Sequence, residues 1–456
     1  MKKTKIICTV GPVSTSRTVL RRMYHAGMNG ARINTAYGTL DQYNFIVRNL
    51  REVADIPIIV DVKGPEIRIK TTRRNVNRGD ILEVGKTKRT RFNNDIYENL
   101  CVGDIVLINN GKLRTKIVEI RNHVIKLLAT TSGEIDDGNG VNIPHRKLLN
   151  PTLSTKDRKV VDFATECKAE FLALSFARNA QDVNALKKEA VGFKGAVIAK
   201  IENSEGVDKF DEILNVAEGI MVARGDLGVE IEPEKVPNVQ KSIIRKCNQK
   251  GKIVVTATEM LESMTYQPSP TRAEVSDVAN AILDGTEATM LSGETAVGRY
   301  PVESVSMMSR IARETEKAVQ SHVEDEGFIN ISDTMSRAVQ RICGEMPIEK
   351  VVTLTRSGYT ARMISRFKIL QPIIAVTPDK SVKKQLELSY GVSPVHIDYL
   401  KEKDRILATA RKLHSMNIIR DRDTVLFMAA FRTFQQHSSN LIEIHNIKEL
   451  IRLTKK

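Results

Sequence analysis

Short apolar runs alternate with amphipathic stretches at helical spacing along most of the chain. That is the pattern of a fold in which parallel strands are joined by crossover helices. Strands are predicted at Lys5–Val10, Gly30–Asn34 and Pro57–Asp61, with helices over 16–27 and 41–54. The rhythm then breaks. Between Ile69 and Leu149, Gly79-Asp80-Ile81 and Gly103-Asp104-Ile105 each open an alternating run, and Asn109-Asn110-Gly111 is a hairpin-type turn signal. This stretch predicts a small all-β insertion. The strand–helix rhythm resumes at Glu170–Ser175, Gly195–Ile201, Gly219–Ala223, Lys252–Thr256 and Ala288–Leu291. Three strands before the insertion and five after it make the eight of a (β/α)8 barrel. Thr271-Arg272-Ala273-Glu274 is a capping box that starts the helix after the seventh strand.

Beyond a polar joint at His322–Gly327 a further α/β block is predicted, with strands at Lys350–Leu354, Pro372–Val376, Ser393–Ile397, Thr424–Ala429 and Leu441–His445. The expected fold is therefore α/β: a (β/α)8 TIM barrel, an inserted small all-β lid domain, and a C-terminal α/β domain with a five-stranded sheet. Residues 1–68 and 150–325 would form the barrel, 69–149 the lid as a small β-barrel, and 326–456 the C-terminal domain.

Composition narrows the class. Of 456 residues, 41% are hydrophobic and 27% charged, which excludes a mainly disordered or low-complexity chain. A net charge of +15 attracts anions: phosphorylated metabolites, nucleic acid or an acidic surface. The five cysteines are scattered without a C-x-x-C, as expected of reduced thiols in a cytosol. No apolar run approaches the length of a membrane span, so a soluble, cytoplasmic protein is expected.

A barrel builds its site from the carboxyl ends of its strands. Here those ends carry Arg32 and Asn34, then Asp61, Lys63, Glu66 and Arg68, then Ser175, Lys200 and Glu202. Arg224 and Asp226, Thr258 and Glu259, and Ser292 and Glu294 complete the set. Any one of these could be polar only because strand ends meet solvent; the whole set converging on one face is better read as a site. Lys200 and Glu202 alternate onto the side of the strand that Ile198 occupies one step earlier, so a charged pair caps an apolar interior. Glu202 and Asp226, one βα repeat apart, are two oxygen donors without His or Cys, which favours Mg2+ or Mn2+ over Zn2+. The bland alternative is an ion pair, Lys200–Glu202 or Arg224–Asp226. The glycines flanking Asp226 favour the metal, because they let backbone amides approach a bound anion. Arg32, Lys63, Arg68 and Lys200 add positive charge suited to a phosphate or carboxylate ligand and to phosphoryl transfer.

Other motifs are weaker. Gly79…Gly85-Lys86-Thr87 misses the P-loop spacing by one residue. The basic run Lys86, Lys88, Arg89 and Arg91 beside Phe92 is read as a solvated hairpin in preference to an RNA contact. Thr355-Arg356-Ser357-Gly358-Tyr359-Thr360 opens a helix and is either a phosphate site, through Thr355, Ser357 and Thr360, or an ordinary cap.

With these residues in order, the chain resembles the pyruvate kinase family along nearly its whole length. The resemblance rests on Asp61-Val62-Lys63-Gly64-Pro65-Glu66-Ile67-Arg68, Lys200-Ile201-Glu202-Asn203, Met221-Val222-Ala223-Arg224-Gly225-Asp226-Leu227-Gly228, Thr258-Glu259-Met260-Leu261-Glu262-Ser263-Met264, Pro270-Thr271-Arg272-Ala273-Glu274 and Met290-Leu291-Ser292-Gly293-Glu294-Thr295-Ala296. It implies transfer of the phosphoryl group of phosphoenolpyruvate to ADP, giving pyruvate and ATP. Glu202 and Asp226 would hold Mg2+ or Mn2+, Lys200 would stabilise the phosphoryl group, and Arg32 would hold it from the other side. Amides near Gly225 and Asp226 would hold the substrate carboxylate, and Thr258 would sit where the methyl proton is delivered. Asn34 and Asp61 belong to the family's monovalent-cation site. The resemblance also implies a homotetramer, a C-terminal domain serving regulation and oligomerisation, and effector phosphate binding by the Thr355 loop. It implies no specific nucleic-acid partner.

Several positions depart from the family. Ala36 and Val62 stand where hydroxyl residues usually bind K+, so weak or absent K+ activation is expected. In the lid, Asn109-Asn110-Gly111 replaces an acidic pair and Gly138-Asn139-Gly140 a basic one, which would weaken closure over nucleotide phosphates. The segment Phe431–His437 lacks the glycine-rich loop that often completes a sugar-bisphosphate site. Two rival readings stay open at this point: a barrel lyase or aldolase acting on a pyruvate enolate, and a noncatalytic metabolite sensor.

Overall fold

The computed structural model describes residues 2–321, 330–398, 404–430 and 439–452. Eight parallel strands, β1 (Lys5–Thr9), β2 (Gly30–Asn34), β3 (Ile58–Val62), β4 (Phe171–Leu174), β5 (Ala196–Ile201), β6 (Gly219–Ala223), β7 (Ile253–Ala257) and β8 (Ala288–Leu291), close in chain order into a barrel. Each predicted strand is present, with ends displaced by one residue at most. The crossover helices are started by side chains that satisfy their first amides: Thr39 with Gln42, Ser154 with Asp157, and Thr271 with Glu274 all form capping boxes. Ile7, Ile59, Phe171, Ile198, Met221, Val255 and Met290 fill the barrel interior. Side chains alternate across each strand, so the opposite face packs against the helices as the larger core.

The insertion between β3 and β4 is all-β. Seven antiparallel strands lie in the order Ile81–Gly85, Val124–Ala129, Leu113–Arg121, Ile105–Ile108, Gly140–Asn142, Ile67–Lys70 and Arg91–Phe92. Gly133–Ile135 and Arg74–Val76 pair separately. The expected small barrel is here a sheet whose edges meet where Gly85 N–H donates to the Thr90 carbonyl (3.0 Å). The last strand is two residues long, too short for a full closing ladder. The predicted hairpin forms: Asn109, Asn110 and Gly111 all have positive φ (57°, 53° and 75°), a conformation Asn and Gly tolerate. The basic hairpin is solvated, with Lys86 paired to Asp95 and Lys88 to Glu83, and Phe92 is buried and stacked on Tyr97.

In the C-terminal domain β9 (Lys350–Leu354), β10 (Ile373–Thr377), β11 (Val392–His396), β12 (Thr424–Ala429) and β13 (Leu441–Asn446) form the predicted five-stranded sheet in the order β11-β10-β9-β12-β13. β13 runs antiparallel to its neighbour. The His322–Gly327 joint, the 325/326 boundary and the Phe431–His437 segment lie outside the described residues.

The C-terminal domain closes the amino-terminal mouth of the barrel. Leu388 joins the interior side chains as a fully buried plug. Around it Lys5 Nζ donates to the Val392 carbonyl (2.8 Å), and Glu287 accepts from Lys368 Nζ (2.8 Å) and Tyr390 N–H (2.8 Å). Burial of Glu287 is tolerated because it pairs with Lys368, and that of Lys5 is offset by its hydrogen bond to a carbonyl. The opposite mouth is left for chemistry. Replacing Leu388 with Ala is expected to cost about 3 kcal/mol and to lower the urea midpoint, since the site is sealed between two rigid domains; an unchanged midpoint would show that the plug contributes nothing.

Candidate active site

The strand period explains why a charged layer sits where it does. On β3 the inward position after Ile59 is Asp61; on β5 the one after Ile198 is Lys200; past β4 the one after Ala173 is Ser175. The apolar filling therefore ends in polar groups, and Arg32 enters the same layer from β2. Its Nε donates to Asp61 Oδ2 at 2.7 Å, its Nη2 pairs with the same oxygen, and its Nη1 donates to Thr9 Oγ1 at 3.1 Å. Lys200 Nζ donates to Ser175 Oγ (2.8 Å) and Asp61 Oδ2 (3.2 Å) and pairs with Glu202 Oε1 (2.9 Å). Ser175 Oγ in turn donates to Asp61 Oδ1 (3.1 Å). Glu202 Oε2 accepts the Phe176 N–H at 2.7 Å, an amide aimed by a left-handed backbone at Phe176 (φ 52°). Arg32, Asp61, Lys200 and Glu202 are 7%, 3%, 6% and 1% exposed.

Charges this deep are coupled. Burial alone would raise Asp61, yet Arg32 and Lys200 outweigh it and hold the carboxyl below its ordinary range. Burial would lower Lys200, but Asp61 and Glu202 keep its ammonium above the ordinary value. Glu202 and Asp226 behave oppositely. Both are pushed up, first by burial, with the field of Asp226 adding at Glu202 and that of Glu66 at Asp226. Two cations, Arg32 and Lys200, face three carboxylates, so the site is one positive charge short.

On the other side of the barrel mouth, Thr258 follows β7 directly. Its Oγ1 donates to the Ala257 carbonyl (2.6 Å) and accepts from Gly225 N–H (2.8 Å). The Gly225 amide is thus engaged by Thr258. The predicted Arg224–Asp226 alternative does not form: Arg224 Nη1 pairs with Asp277 (2.7 Å) on the helix Arg272–Leu283, because its side chain runs back under the β7 loop.

The remaining candidates separate into groups with other partners. Lys63 lies 3.7 Å and Arg68 3.0 Å from Glu66, and Arg68 Nη1 also donates to the Gly138 carbonyl (2.8 Å), so this trio sits at the lid hinge. Glu294 is committed to backbone: its oxygens accept the amides of Ser292 (2.7 Å) and Leu261 (3.0 Å), bracketing two loops. Asn34 Oδ1 accepts the Ala36 amide (3.1 Å). In the C-terminal domain Thr355 Oγ1 accepts from Gly358 N–H (3.0 Å) and Ser357 Oγ from Tyr359 N–H (3.5 Å). Thr360 is buried against Ser439 (2.8 Å). The Thr355 and Ser357 hydroxyls hold the turn that leads into the helix Tyr359–Ser365, whose N-cap Gly358 has no side-chain cap. In the lid, Asn139 Oδ1 accepts the Asp136 amide (2.7 Å), and Gly111 lies over Val229 on the short helix Arg224–Glu230. Sequence reasoning missed Thr9, the Phe176 amide and Asp277, whose partners are remote in the chain and leave no local pattern.

Asp61→Asn removes the charge that offsets Arg32 and Lys200. The expected loss is about 3 kcal/mol, because breaking a buried pair leaves an uncompensated cation. Urea denaturation of the variant against the wild type measures it.

Comparison with known proteins places this geometry. The pyruvate kinase barrel-domain model matches residues 1–305, and the pyruvate kinase alpha/beta-domain model matches residues 333–445. The pyruvate kinase of Sporosarcina psychrophila is 39% identical over 99% of this chain and 81% of that protein. That of Clostridium perfringens is 37% identical over 98% of this chain and its own full length. The crystal structure of a pyruvate kinase from Cryptosporidium parvum superposes with a TM-score of 0.89 at 33% identity, covering 98% of this chain and 96% of that one. With one barrel model and one α/β model matched in order, and relatives aligned end to end, the chain belongs to the pyruvate kinase family.

Proposed function

We propose that the charged layer of Arg32, Asp61, Ser175, Lys200 and Glu202, with Asp226 and Thr258 beside it, carries the family reaction: phosphoenolpyruvate and ADP to pyruvate and ATP. The protein is a phosphotransferase. The single observation that carries the site assignment is the charge deficit. Two carboxylates, Glu202 and Asp226, are both raised first by burial, with the field of Asp226 adding at Glu202 and that of Glu66 at Asp226. Among the described residues no cluster of three or more His, Cys, Asp or Glu could hold a metal. A two-carboxylate site fits Mg2+ or Mn2+, which bind through one or two carboxylates and leave the other positions to water and substrate. Glu202 and Asp226 would hold the ion. When bound, it supplies the charge that neutralises the substrate's carboxylate and phosphate oxygens.

The chain's own groups do the rest. Lys200, kept cationic by Asp61 and Glu202, faces the phosphoryl group as its bond to the enol oxygen breaks and the bond to the ADP oxygen forms. Arg32 neutralises the same group from β2, and both are fixed before substrate arrives, so no reorganisation is spent in the transition state. The enolate then takes a proton at its methylene carbon. Thr258 has its one hydroxyl proton committed to Ala257, so its part is to order the water that supplies the proton. The lid excludes bulk water.

The family generally requires a divalent metal and K+. In this chain Asp61 already accepts from Arg32, Lys200 and Ser175, Asn34 Oδ1 accepts the Ala36 amide, and Ala36 and Val62 offer no hydroxyl. These contacts support weak or absent K+ activation. No described helix is long and apolar enough to cross a membrane. We read the protein as a cytoplasmic homotetramer, as the family resemblance implies. The relatives named above are pyruvate kinases, so the lyase and sensor readings gain no support from them.

Initial-rate pyruvate formation with Mg2+ in sodium-free buffer, with and without K+, tests this reading. Lys200→Ala is expected to lose about 10³-fold in kcat, the scale of a preorganised electrostatic group. Glu202→Ala is expected to lose Mn2+ binding by electron paramagnetic resonance as well as rate. Wild-type activity that both variants retain would overturn the site, and a strict K+ requirement would overturn the cation reading.

A further inference from the structure

We infer that Arg224 is a positioning residue for proton delivery, acting through the turn that carries Thr258. The inference rests on the reading of Thr258 given above. β7 ends at Ala257, and the next two residues, Thr258 and Glu259, both have left-handed backbones (φ 65° and 53°). Neither is Gly or Asn, and a β-branched Thr in that region is disfavoured. Two such residues in succession persist only where the surroundings impose them, at about 1–3 kcal/mol each.

One guanidinium imposes them. Arg224 Nε and Nη2 donate to the Thr258 carbonyl (3.2 and 2.8 Å) and Nη2 to the Glu259 carbonyl (2.8 Å), while Nη2 also lies 2.9 Å from Met260 Sδ. Three successive residues are gripped by a side chain only 8% exposed. Its remaining nitrogen is anchored by both oxygens of Asp277, at 2.8 and 2.7 Å. The next residue completes the clamp, since Gly225 N–H donates to Thr258 Oγ1. Arg224 and Gly225 therefore set the main chain and the hydroxyl of Thr258 together. An ion pair serving only stability would need Asp277 and none of the carbonyl contacts. A lysine cannot replace the fork, because a single ammonium cannot span both carbonyls and Asp277.

The step concerned is protonation of enolpyruvate. In the enolate the oxygen anion forms the C2 carbonyl as the C2–C3 π pair takes a proton at C3 from the water ordered by Thr258, and the hydroxide left is reprotonated from solvent. Loosening the turn displaces that hydroxyl, whereas among the described contacts Arg224 bonds to none of Lys200, Glu202 and Asp226. The loss should therefore fall on turnover and leave substrate binding intact.

The test compares Arg224→Lys, Thr258→Ala and the double variant in the full-length enzyme. Readouts are kcat, KM for phosphoenolpyruvate, and solvent deuterium entry into the pyruvate methyl group, followed by NMR. Arg224→Lys is expected to slow methyl exchange about 10²-fold, the cost of a misplaced catalytic group, with KM changed less than about threefold. Because Arg224 acts through Thr258, the double variant should exchange no more slowly than Thr258→Ala alone. Additive losses would overturn the inference. Wild-type exchange in Arg224→Lys, with exchange lost in Thr258→Ala, would overturn it while leaving the Thr258 reading intact. Undiminished exchange in Thr258→Ala would remove that reading and the inference with it. Should Arg224→Lys fail to fold, Asp277→Asn carries the test. It keeps the carbonyl contacts but frees the anchor; exchange about tenfold slower at constant KM is expected, and unchanged exchange refutes.

Discussion

The carboxylate of Asp61 is the point on which the catalytic mouth depends. It lies almost fully buried one inward step above Ile59, where an unpaired charge would be intolerable. Its partners, Arg32 from β2, Lys200 from β5 and Ser175 beyond β4, come from three elements, so one anion ties together the cations of the proposed site. The pairing also keeps Lys200 cationic despite its burial. Stability and chemistry share one interaction here, and this explains why these cations are rigid before any ligand binds.

The two mouths of the barrel show how the same fold divides its labour. At the amino-terminal mouth Leu388 and the paired charges Glu287 and Lys368 seal the interior. At the carboxyl-terminal mouth the balance differs: Glu202 shares the Lys200 ammonium with Asp61, and among the described contacts Asp226 has no ion pair. The hinge trio Lys63, Glu66 and Arg68 couples the lid to this mouth through the Gly138 carbonyl, a contact the neutral lid sequence leaves intact because it uses backbone.

Much of this was legible in the chain. Short apolar runs separated by amphipathic helices marked each barrel strand to within a residue, because burial on both faces allows few other residue types. The Lys200–Glu202 spacing announced a charged pair on the inward face, and Asn109-Asn110-Gly111 announced its hairpin, since three left-handed residues in a row demand such side chains. Glu294 was harder. It reads as a site residue by position, whereas both its oxygens accept backbone amides.

What the sequence by itself determined was the order and type of elements and the residue types at each strand end, since periodicity and alternation are local properties. Which charges meet was decided only by tertiary structure. Arg224 stands two residues from Asp226 yet reaches Asp277 and the Thr258 turn, because direction across a barrel mouth depends on the closure of all eight strands. For the same reason the amide of Phe176 finds Glu202 and the hydroxyl of Thr9 finds Arg32. Neighbours in space at the end of a barrel are remote in the chain, and no local pattern records them.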